Sequence, residues 1–290
     1  MRNNGGGALQ TVVDMTGLFI ERGPIVQVKS TGNRKQILYD KDPKIVWDGP
    51  LVILMNKMSA SASEILAGAL QDYNRAVIIG NEKSFGKGTV QNVIDLNRFI
   101  SNSSYDLGAI KITTDKFYRI NGESVQLEGV KSDIVIPDSY KYVFNGEKDE
   151  KNPLDWDKIT PASFQKWNQK DIVTKISTNS QSRIDNDNYY SLINDRAKWI
   201  KSQQSNKSIS LNFDIYNNYL SDQREKNKKF ESLSNYENNL IFKLLKAEKQ
   251  YVMSNKELLS SRNRWHRNLT KDLYVEAVSY THLRAHETVS

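Results

Sequence analysis

The chain of 290 residues contains no cysteine and only three histidines, His266, His282 and His286, all near its carboxyl end. Without thiols it has no disulfide framework, no thiolate zinc site and no cysteine nucleophile. The scarcity of histidine argues against a Ser-His-Asp hydrolase and against a histidine-bound metal. The sequence also lacks any apolar run of about 18 residues, the length that predicts a membrane-spanning helix. The chemistry left to it is that of serine, lysine, carboxylates, tyrosine and backbone amides.

Composition and charge place the chain among globular proteins. Hydrophobic residues make up 38% of it and charged residues 26%, which is typical of globular proteins. Its length of 290 residues is ample for a buried core. Residues 1–150 carry 18 basic and 18 acidic side chains, so the net charge of +7 lies entirely in residues 151–290. Such an excess can attract nucleic acid, anionic lipid or acidic proteins. Here the basic residues are scattered among Asn, Ser and Asp, so we expect a solvated surface and no nucleic-acid partner.

Two apolar runs of strand length flank a stretch with helical spacing. Residues 51–55 and 76–79 are continuous apolar runs, as in strands covered on both faces, and residues 62–73 carry apolar side chains at helical spacing. Strand, helix and strand in this order form a βαβ unit, so the first part of the chain is predicted to be α/β. The other elements predicted there are a helix over 8–22 broken near Gly17, a hairpin over 25–39, and strands over 89–96, 109–113, 117–120 and 124–127.

The composition changes near residue 140, where tryptophans and long Asn, Ser and Lys stretches replace the compact strands. Amphipathic helices are predicted over 211–219, 237–249 and 256–267. We therefore expect an α/β domain over 1–139 and a mostly α-helical domain over 140–278. A glycine-rich turn opens the chain with no element leading into it, so we expect part of the fold to precede Met1 in a longer protein. Residues 279–290 are expected to be a non-native tail.

A run of small residues joins the apolar run 51–55 to the predicted helix that starts near Ala62. Such a turn projects side chains from the carboxyl end of the sheet, the edge at which open α/β sheets place their sites. A serine there lies at a helix N-terminus, where free amides and the helix dipole favour a developing anion. The segment alone leaves two interpretations open. One of Ser59, Ser61 and Ser63 is a nucleophile, or these serines only cap the helix, with Glu64 completing a capping box from Ser61.

The second informative segment runs from Gly80 to Gln91. It lacks the spacing of a phosphate-binding P-loop, because five residues separate Gly80 from Gly86 and Gly88 stands where a magnesium-binding hydroxyl is needed. A desolvated lysine close to a serine can lose its charge and accept the serine proton without a histidine. Gln91 would orient such an amine if the backbone bends, since four strand residues span about 13 Å. Taken alone, however, the segment favours an ordinary surface lysine at Lys87.

Together the two segments resemble the tail-specific, or carboxy-terminal processing, serine peptidases. The similarity lies in Ser-Ala-Ser-Ala-Ser-Glu at 59–64, in Gln71-Asp72 at the end of the predicted helix, and in Phe-Gly-Lys-Gly-Thr-Val-Gln at 85–91. The opening Arg-Asn-Asn-Gly-Gly-Gly at 2–7 resembles the family's arginine-asparagine-glycine turn. The resemblance extends through its closing strands to residue 139. It continues more weakly to 272–274, similar to the helical C-terminal extension of members from Gram-negative bacteria.

Carried over to this sequence, the resemblance implies a Ser-Lys dyad in a crotonase-like catalytic core. Ser61 would be the nucleophile, Lys87 the general base and Gln91 the residue that orients the amine. The oxyanion hole would use the N–H of Ala62 and one N–H of the glycine turn, assigned to Gly6. Neither a metal nor another cofactor is expected.

The resemblance also implies a function. Family members cut exported proteins near their carboxyl termini, usually with a PDZ domain that captures the substrate tail. We therefore expect a serine endopeptidase of the periplasm or bacterial cell envelope that acts through an acyl-enzyme on polypeptides with nonpolar carboxyl-terminal tails. Such an enzyme could also associate peripherally with a membrane or bind an adaptor protein. The alternative is a non-catalytic peptide-binding module on the same scaffold.

Three departures from the family pattern bear on this expectation. The loop over 81–84 is one residue longer than expected, which would shift Lys87. Ser132 replaces an expected proline before Asp133. The PDZ domain and the first part of the catalytic core are expected to precede Met1, so the chain by itself need not be active.

Overall fold

The protein is described by a computed structural model that covers residues 1–100, 105–143, 146–167, 170–204 and 208–287. It divides into two compact units, one of residues 1–135 and 144–177 and one of residues 136–143 and 178–290. The predicted fold class, α/β followed by a mostly helical region, is confirmed. The described strands are β1 Gly23–Ser30, β2 Lys35–Asp40, β3 Val52–Met55, β4 Val77–Gly80, β5 Thr89–Asp95, β6 Ala109–Tyr118 and β7 Ile134–Val135.

The helices occur in both parts of the chain. Within the described residues they are α1 Leu9–Gly17, α2 Ala62–Asp72, α3 Lys170–Asp185, α4 Asn188–Gln204, α5 Phe213–Lys228, α6 Glu231–Ser234, α7 Lys249–Ser254, α8 Lys256–Thr270 and α9 Leu273–Glu287, with 3-10 turns at Leu96–Phe99 and Glu147–Asp149.

The βαβ unit predicted from the sequence is present. β3 and β4 pair in parallel with Met55 opposite Gly80, and β7 adds to the other side of β4. α2 connects the two strands and buries Leu66 and Leu70 in the core between them and the other sheet. Because neighbouring parallel strands end at the same edge, the segments that follow β3 and β4 begin side by side.

A four-stranded antiparallel sheet in the order β2-β1-β6-β5 forms the rest of the first unit's strand structure. The predicted hairpin over 25–39 is confirmed as β1 and β2, and the predicted helix over 8–22 ends at Gly17 as α1. The strands predicted separately at 109–113 and 117–120 form one strand, β6, which runs from Ala109 to Tyr118. The predicted break at 114–116 and the predicted end at residue 120 are wrong. The element after Gly88 is the strand β5, as expected for a segment that is not a P-loop.

The strand predicted over 124–127 is also wrong. The N–H of Ser124 donates to the Asp157 carbonyl and that of Leu127 to the Gly86 carbonyl, so these backbone groups bind loops rather than a neighbouring strand. Leu127 has a left-handed φ of +64°, which no regular strand contains. The β-branched and apolar residues of this stretch therefore serve core packing, with Val125 fully buried.

The second unit is helical and has its own interior, which includes Ile184, Ile193 and Ala277. The predicted helix at 256–267 lies within α8 and is confirmed. The helix predicted at 211–219 is confirmed from Phe213, where α5 begins. The helix predicted over 237–249 is wrong, since α7 begins only at Lys249. Asn238 explains the difference, because its N–H and its side-chain amide donate to carbonyls at the end of α8 instead of to a helical turn of its own.

The predicted domain boundary near residue 139 stays a prediction, and neither of the two compact units is one continuous segment of the chain. Residues 146–167 return to the first unit, where the Ile159 N–H donates to the Gly122 carbonyl at 2.8 Å. α9 continues into the predicted tail 279–290, of which residues 288–290 lie outside the described part. No helix in the described ranges is long and apolar enough to cross a bilayer.

Candidate active site

The turn between β3 and α2, residues 56–64 (the serine turn), distinguishes its three serines by what their hydroxyls bind. The Ser59 hydroxyl donates to the Met1 carbonyl and that of Ser63 to the Asn4 carbonyl, both at 2.9 Å. Both side chains are buried, whereas Ser61 is half-buried. Ser59 and Ser63 therefore anchor the opening turn, residues 1–7, to the serine turn. Of the three hydroxyls, that of Ser61 donates to no acceptor among the described residues.

The backbone at Ser61 is held in an unusual conformation. Its φ of +55° and ψ of −117° lie in a region that favours glycine, and such strain costs about 1–3 kcal/mol and concentrates at functional sites. Ser61 is also the N-cap residue of α2, with a capping box in which its N–H donates to Glu64 Oε2 at 2.8 Å. The capping interpretation is thus correct. It does not compete with the nucleophile interpretation, because the Glu64 N–H donates to the Ser61 carbonyl at 2.8 Å and the Ser61 hydroxyl can still donate elsewhere.

The two predicted oxyanion donors lie next to Ser61. The Ala62 N–H is in the first turn of α2, where amides lack intrahelical acceptors, and it donates to no described acceptor. A Cβ at Gly6 would lie 2.9 Å from the Ser61 Cβ and 3.0 Å from the Ala62 nitrogen, so only glycine fits there. The Gly6 N–H donates to Asn4 Oδ1 at 2.9 Å in this structure. Its role as an oxyanion donor stays a prediction.

Lys87 and Gln91 are in direct contact. The Lys87 amine donates to Gln91 Oε1 at 3.0 Å, although the residues are four apart at the start of β5. The bend that this requires comes from Gly86, whose φ is +93°, and from a β-bulge between Val90 and Gln91. Lys87 is half-buried and Gln91 exposed, so the amine is less shielded from water than the sequence led us to expect.

Glu64 connects the serine turn to the lysine loop, residues 81–88. Its side chain is fully buried and accepts four hydrogen bonds. The donors are the Ser84 hydroxyl and the Gly86 N–H on Oε1, at 2.5 and 2.7 Å, and the N–H groups of Ser61 and Lys87 on Oε2, at 2.8 and 2.9 Å. One oxygen atom thus lies between the backbones of the predicted nucleophile and the predicted base.

The sequence interpretation assigned Glu64 only a capping role. The capping-box spacing from Ser61 is a local signal, and it explains one of the four hydrogen bonds. The other three donors lie 20 or more residues away in the sequence and come close only because β3 and β4 are neighbours. The Ser-x-x-Glu spacing before the helix was therefore the one signal in the sequence that pointed to Glu64. It did not reveal that Glu64 also binds the lysine loop.

Burial shifts the ionisation of this carboxyl. Removal from water raises the pKa of Glu64 from 4.5 to about 7, and the hydrogen bonds from Ser84, Gly86, Ser61 and Lys87 oppose that rise. The carboxylate offers two lone pairs on each oxygen, which match the four donors. Protonation would replace one acceptor position by an O–H, and with this raised pKa it takes place near neutral pH.

Ser132 is hydrogen-bonded to the loop over 81–84. Its hydroxyl donates to the Asn81 carbonyl at 2.6 Å and its N–H to the Glu82 carbonyl at 3.2 Å. The proline expected from the family pattern has neither donor. Ser132 therefore supplies two hydrogen bonds to this loop that a proline could not. That the loop is longer than in the family stays a prediction.

Gln71 and Asp72 have a structural role at the end of α2. Arg119 forms a buried ion pair with Asp72, with 2.6 Å between Nη2 and Oδ1, and the same nitrogen donates to Gln71 Oε1 at 3.0 Å. Gln71 also donates to Asp133 Oδ1 at 2.9 Å. These side chains bind one another and fix α2 in the first unit.

Comparison with known proteins agrees with the site. Residues 1–136 match the family model for peptidase family S41, and residues 140–280 match that for the C-terminal domain of tail specific protease. A tail-specific protease of Haemophilus influenzae is 40% identical over 217 residues, which cover 73% of this chain and 31% of that protein. A carboxy-terminal-processing protease of Bartonella bacilliformis is 39% identical over 146 residues, 49% of this chain and 32% of that protein.

A solved structure of a photosystem II D1 C-terminal processing protease is 33% identical over 47% of this chain and 33% of its own length, with a TM-score of 0.41. On the sequence matches, the first part of the chain is a serine peptidase domain of family S41. The chain belongs to the tail-specific, carboxy-terminal processing members of that family. It spans about a third of the length of the curated relatives named above.

Proposed function

We propose that this chain carries the catalytic residues of a serine endopeptidase that cleaves exported proteins near their carboxyl termini. The observation that carries the proposal is the joint attachment of Ser61 and Lys87 to one Glu64 oxygen, with a spare hydroxyl on Ser61 and an amine held by Gln91. The names of the relatives support carboxy-terminal processing as the reaction. The proposed location is the periplasm or bacterial cell envelope.

The proposed chemistry is hydrolysis through an acyl-enzyme. Ser61 Oγ attacks the peptide carbonyl while the Lys87 amine, as general base, takes its proton. The tetrahedral anion is stabilised by the Ala62 N–H and by the Gly6 N–H, which turns from Asn4 to the oxyanion. Each such donor is worth about 10²–10³-fold in rate.

The remaining steps restore the enzyme. The C–N bond breaks, Lys87 gives its proton to the leaving amine, and the ester on Ser61 remains. Water then attacks that ester with Lys87 again as base, and the acid product leaves. Gln91 keeps the amine oriented through both proton transfers. In this structure the amine bonds to Gln91 rather than to Ser61, as is common for catalytic hydrogen bonds before a substrate binds.

The proposal is tested in the full-length protein with a peptide that has a nonpolar carboxyl-terminal tail. Ser61→Ala and Lys87→Ala should each lower the cleavage rate by about 10²–10⁴-fold or more. Lys83→Ala is the matched control, since it removes a lysine of the same loop whose amine donates to the Leu127 carbonyl. We expect Lys83→Ala to keep the wild-type turnover. Equal turnover by the wild type and Lys87→Ala would contradict the dyad.

A second measurement separates the enzyme from a non-catalytic binding module. A serine-reactive phosphonate should label the wild type at Ser61, and peptide mass mapping locates the adduct. The label should be absent from Ser61→Ala and slow to form in Lys87→Ala. A module that only holds peptides would bind the tail but take up no label.

A further inference from the structure

The 3-10 turn at Glu147–Asp149 binds the lysine loop on both sides of Lys87, directly at Phe85 and through Gln126 at Gly88. On one side, the Glu147 N–H donates to the Phe85 carbonyl at 3.0 Å. A Cβ at Gly146 would lie only 2.6 Å from the same carbonyl oxygen, so the close approach depends on glycine. The turn thus lies directly against the backbone two residues before the base.

On the other side of Lys87, the contact passes through a buried amide. The Gly88 N–H donates to Gln126 Oε1 at 2.8 Å, and Gln126 Nε2 donates to Glu147 Oε1 at 3.1 Å. The Gln126 side chain has no exposed surface. Because a carboxylate only accepts hydrogen bonds, Glu147 determines which end of the Gln126 amide faces it. The carbonyl end must then face Gly88, as that N–H requires.

We infer that Glu147 is a positioning residue for Lys87, acting through Phe85 and through Gln126. Its N–H and its carboxylate hold the backbone on both sides of the base, while Glu64 holds the base's own N–H. The inference rests on the proposed function. The S41 family match ends at residue 136, whereas Glu147 lies in the stretch that matches the C-terminal domain family. The support of the base therefore extends beyond the peptidase match.

The expected effect falls on kcat. Removing the Glu147 carboxylate leaves the buried Gln126 NH₂ without its acceptor, so the Gln126 amide and the Gly88 N–H that binds it are no longer held in place. The loop then loses its fixed place, and a misplacement of about 1 Å costs up to about 10²-fold in rate. The contacts described for Glu147 are to Phe85 and Gln126 and not to the proposed nucleophile or oxyanion donors, so KM should change little.

The test compares Glu147→Ala, Glu147→Gln and the control Glu150→Ala in the full-length protein. Glu150 is exposed and lies three residues further along, so its variant makes the same charge change without the contact. Active-site titration with the phosphonate counts the folded sites, and kcat is expressed per titrated site. Glu147→Ala should lose at least tenfold in kcat, an effect of the size that misplaced catalytic groups show, about 10–10². Glu147→Gln retains an acceptor oxygen and should recover most of kcat.

Gly146→Ala provides an independent second variant, because its methyl group would push the turn away from Phe85 while the carboxylate remains. It should lower kcat per titrated site and shift the pH profile of phosphonate labelling, which reports on the base. A variant that merely unfolds would lose titrated sites at unchanged kcat per site, and this outcome would overturn the inference. So would wild-type kcat in both Glu147→Ala and Gly146→Ala. Failure of the proposed function itself would show as cleavage by Ser61→Ala, which leaves the two failures distinguishable.

Discussion

The serine turn and the lysine loop supply the two halves of one site, and they are built differently. In the serine turn, most backbone hydrogen bonds join neighbours, such as the Ser59 N–H to the Asn56 carbonyl and the Ser63 N–H to the Ala60 carbonyl. It continues directly into α2. The lysine loop has no regular structure, and its groups bind partners at distant positions, among them Glu64 and Gln126. A nucleophile can therefore be placed by a local motif, whereas its base is placed by the tertiary structure.

This contrast has a physical reason. A serine at a helix N-terminus receives its environment from the helix itself, through free amides and the dipole. A lysine ahead of an edge strand receives nothing comparable from its neighbours, so other segments must provide acceptors for its loop. The loop should accordingly respond to substitutions far away in the sequence, while the serine turn should respond mainly to substitutions within itself.

The largest effect is expected where the two segments share an acceptor. Glu64→Ala removes the acceptor of four hydrogen bonds, and each buried donor left without a partner costs about 1–3 kcal/mol. We expect a large fall in the free energy of unfolding, measured by urea denaturation, together with loss of cleavage. Glu128→Ala is the control, because it removes an exposed carboxylate whose ion pair with Lys131 is worth little. Similar stability of the two variants would show that the shared acceptor is unimportant.

A smaller effect should separate stability from chemistry. Ser84→Ala removes a donor to Glu64 and the acceptor of the Val130 N–H at 2.7 Å, which should cost about 1–3 kcal/mol of stability. Ser61→Ala should instead abolish cleavage at nearly unchanged stability, because the Glu64 N–H at the start of α2 donates to the Ser61 carbonyl at 2.8 Å, an acceptor that the variant keeps. Thermal unfolding and peptide cleavage measured on both variants test this. If Ser61→Ala were the less stable of the two, its hydroxyl would be structural.

The pH dependence of stability provides a third comparison. Burial raises the pKa of Glu64 to about 7 from its ordinary 4.5, so the folded protein holds this proton more tightly than the unfolded chain. The free energy of unfolding should therefore fall as the pH rises from about 4.5 to about 7, by at most about 1.4 kcal/mol per pH unit. Glu64→Gln should lack this contribution. Urea denaturation across that range measures the difference, and parallel curves for both proteins would contradict the shift.

The smallest effect is expected at Gln91, the exposed residue that binds the Lys87 amine. Gln91→Ala removes the acceptor of the Lys87 amine, which should slow cleavage about tenfold, the value of a net hydrogen bond of about 1 kcal/mol or slightly more. Stability should hardly change, since the side chain is exposed. Asn92→Ala is the neighbouring control, with an exposed side chain bound to Thr114. Indistinguishable kinetics of the two variants would remove Gln91 from the mechanism.

The fold was predictable wherever the signal was local. Apolar runs of strand length identified β3 and β4, and helical spacing identified α2. The prediction failed over 124–127 and over 237–249, where side chains or loops take the backbone hydrogen bonds that a regular element would use. No local pattern reveals such a competition, because the competing groups lie far away in the chain.

The site was predictable to the same degree. The resemblance to tail-specific peptidases pointed to Ser61, Lys87 and Gln91, and the structure brings Lys87 and Gln91 into contact. Their catalytic roles stay predictions. The link through Glu64 and the support from Glu147 were not predicted, since each joins segments that the sequence separates.

By itself the sequence determined the chemistry that remained available and the family to which the chain belongs. Without cysteine, and with histidine confined to the last 25 residues, the side chains left for a hydrolase were serine, lysine, carboxylates and tyrosine. The resemblance to the tail-specific peptidases then pointed to Ser61 and Lys87. Only the tertiary structure decided which serine keeps a spare hydroxyl and what holds the lysine's loop. Because β3 and β4 pair in parallel, both strands end at the same edge of the sheet. The buried Glu64 carboxylate lies there and accepts hydrogen bonds from the backbone N–H groups of both following segments.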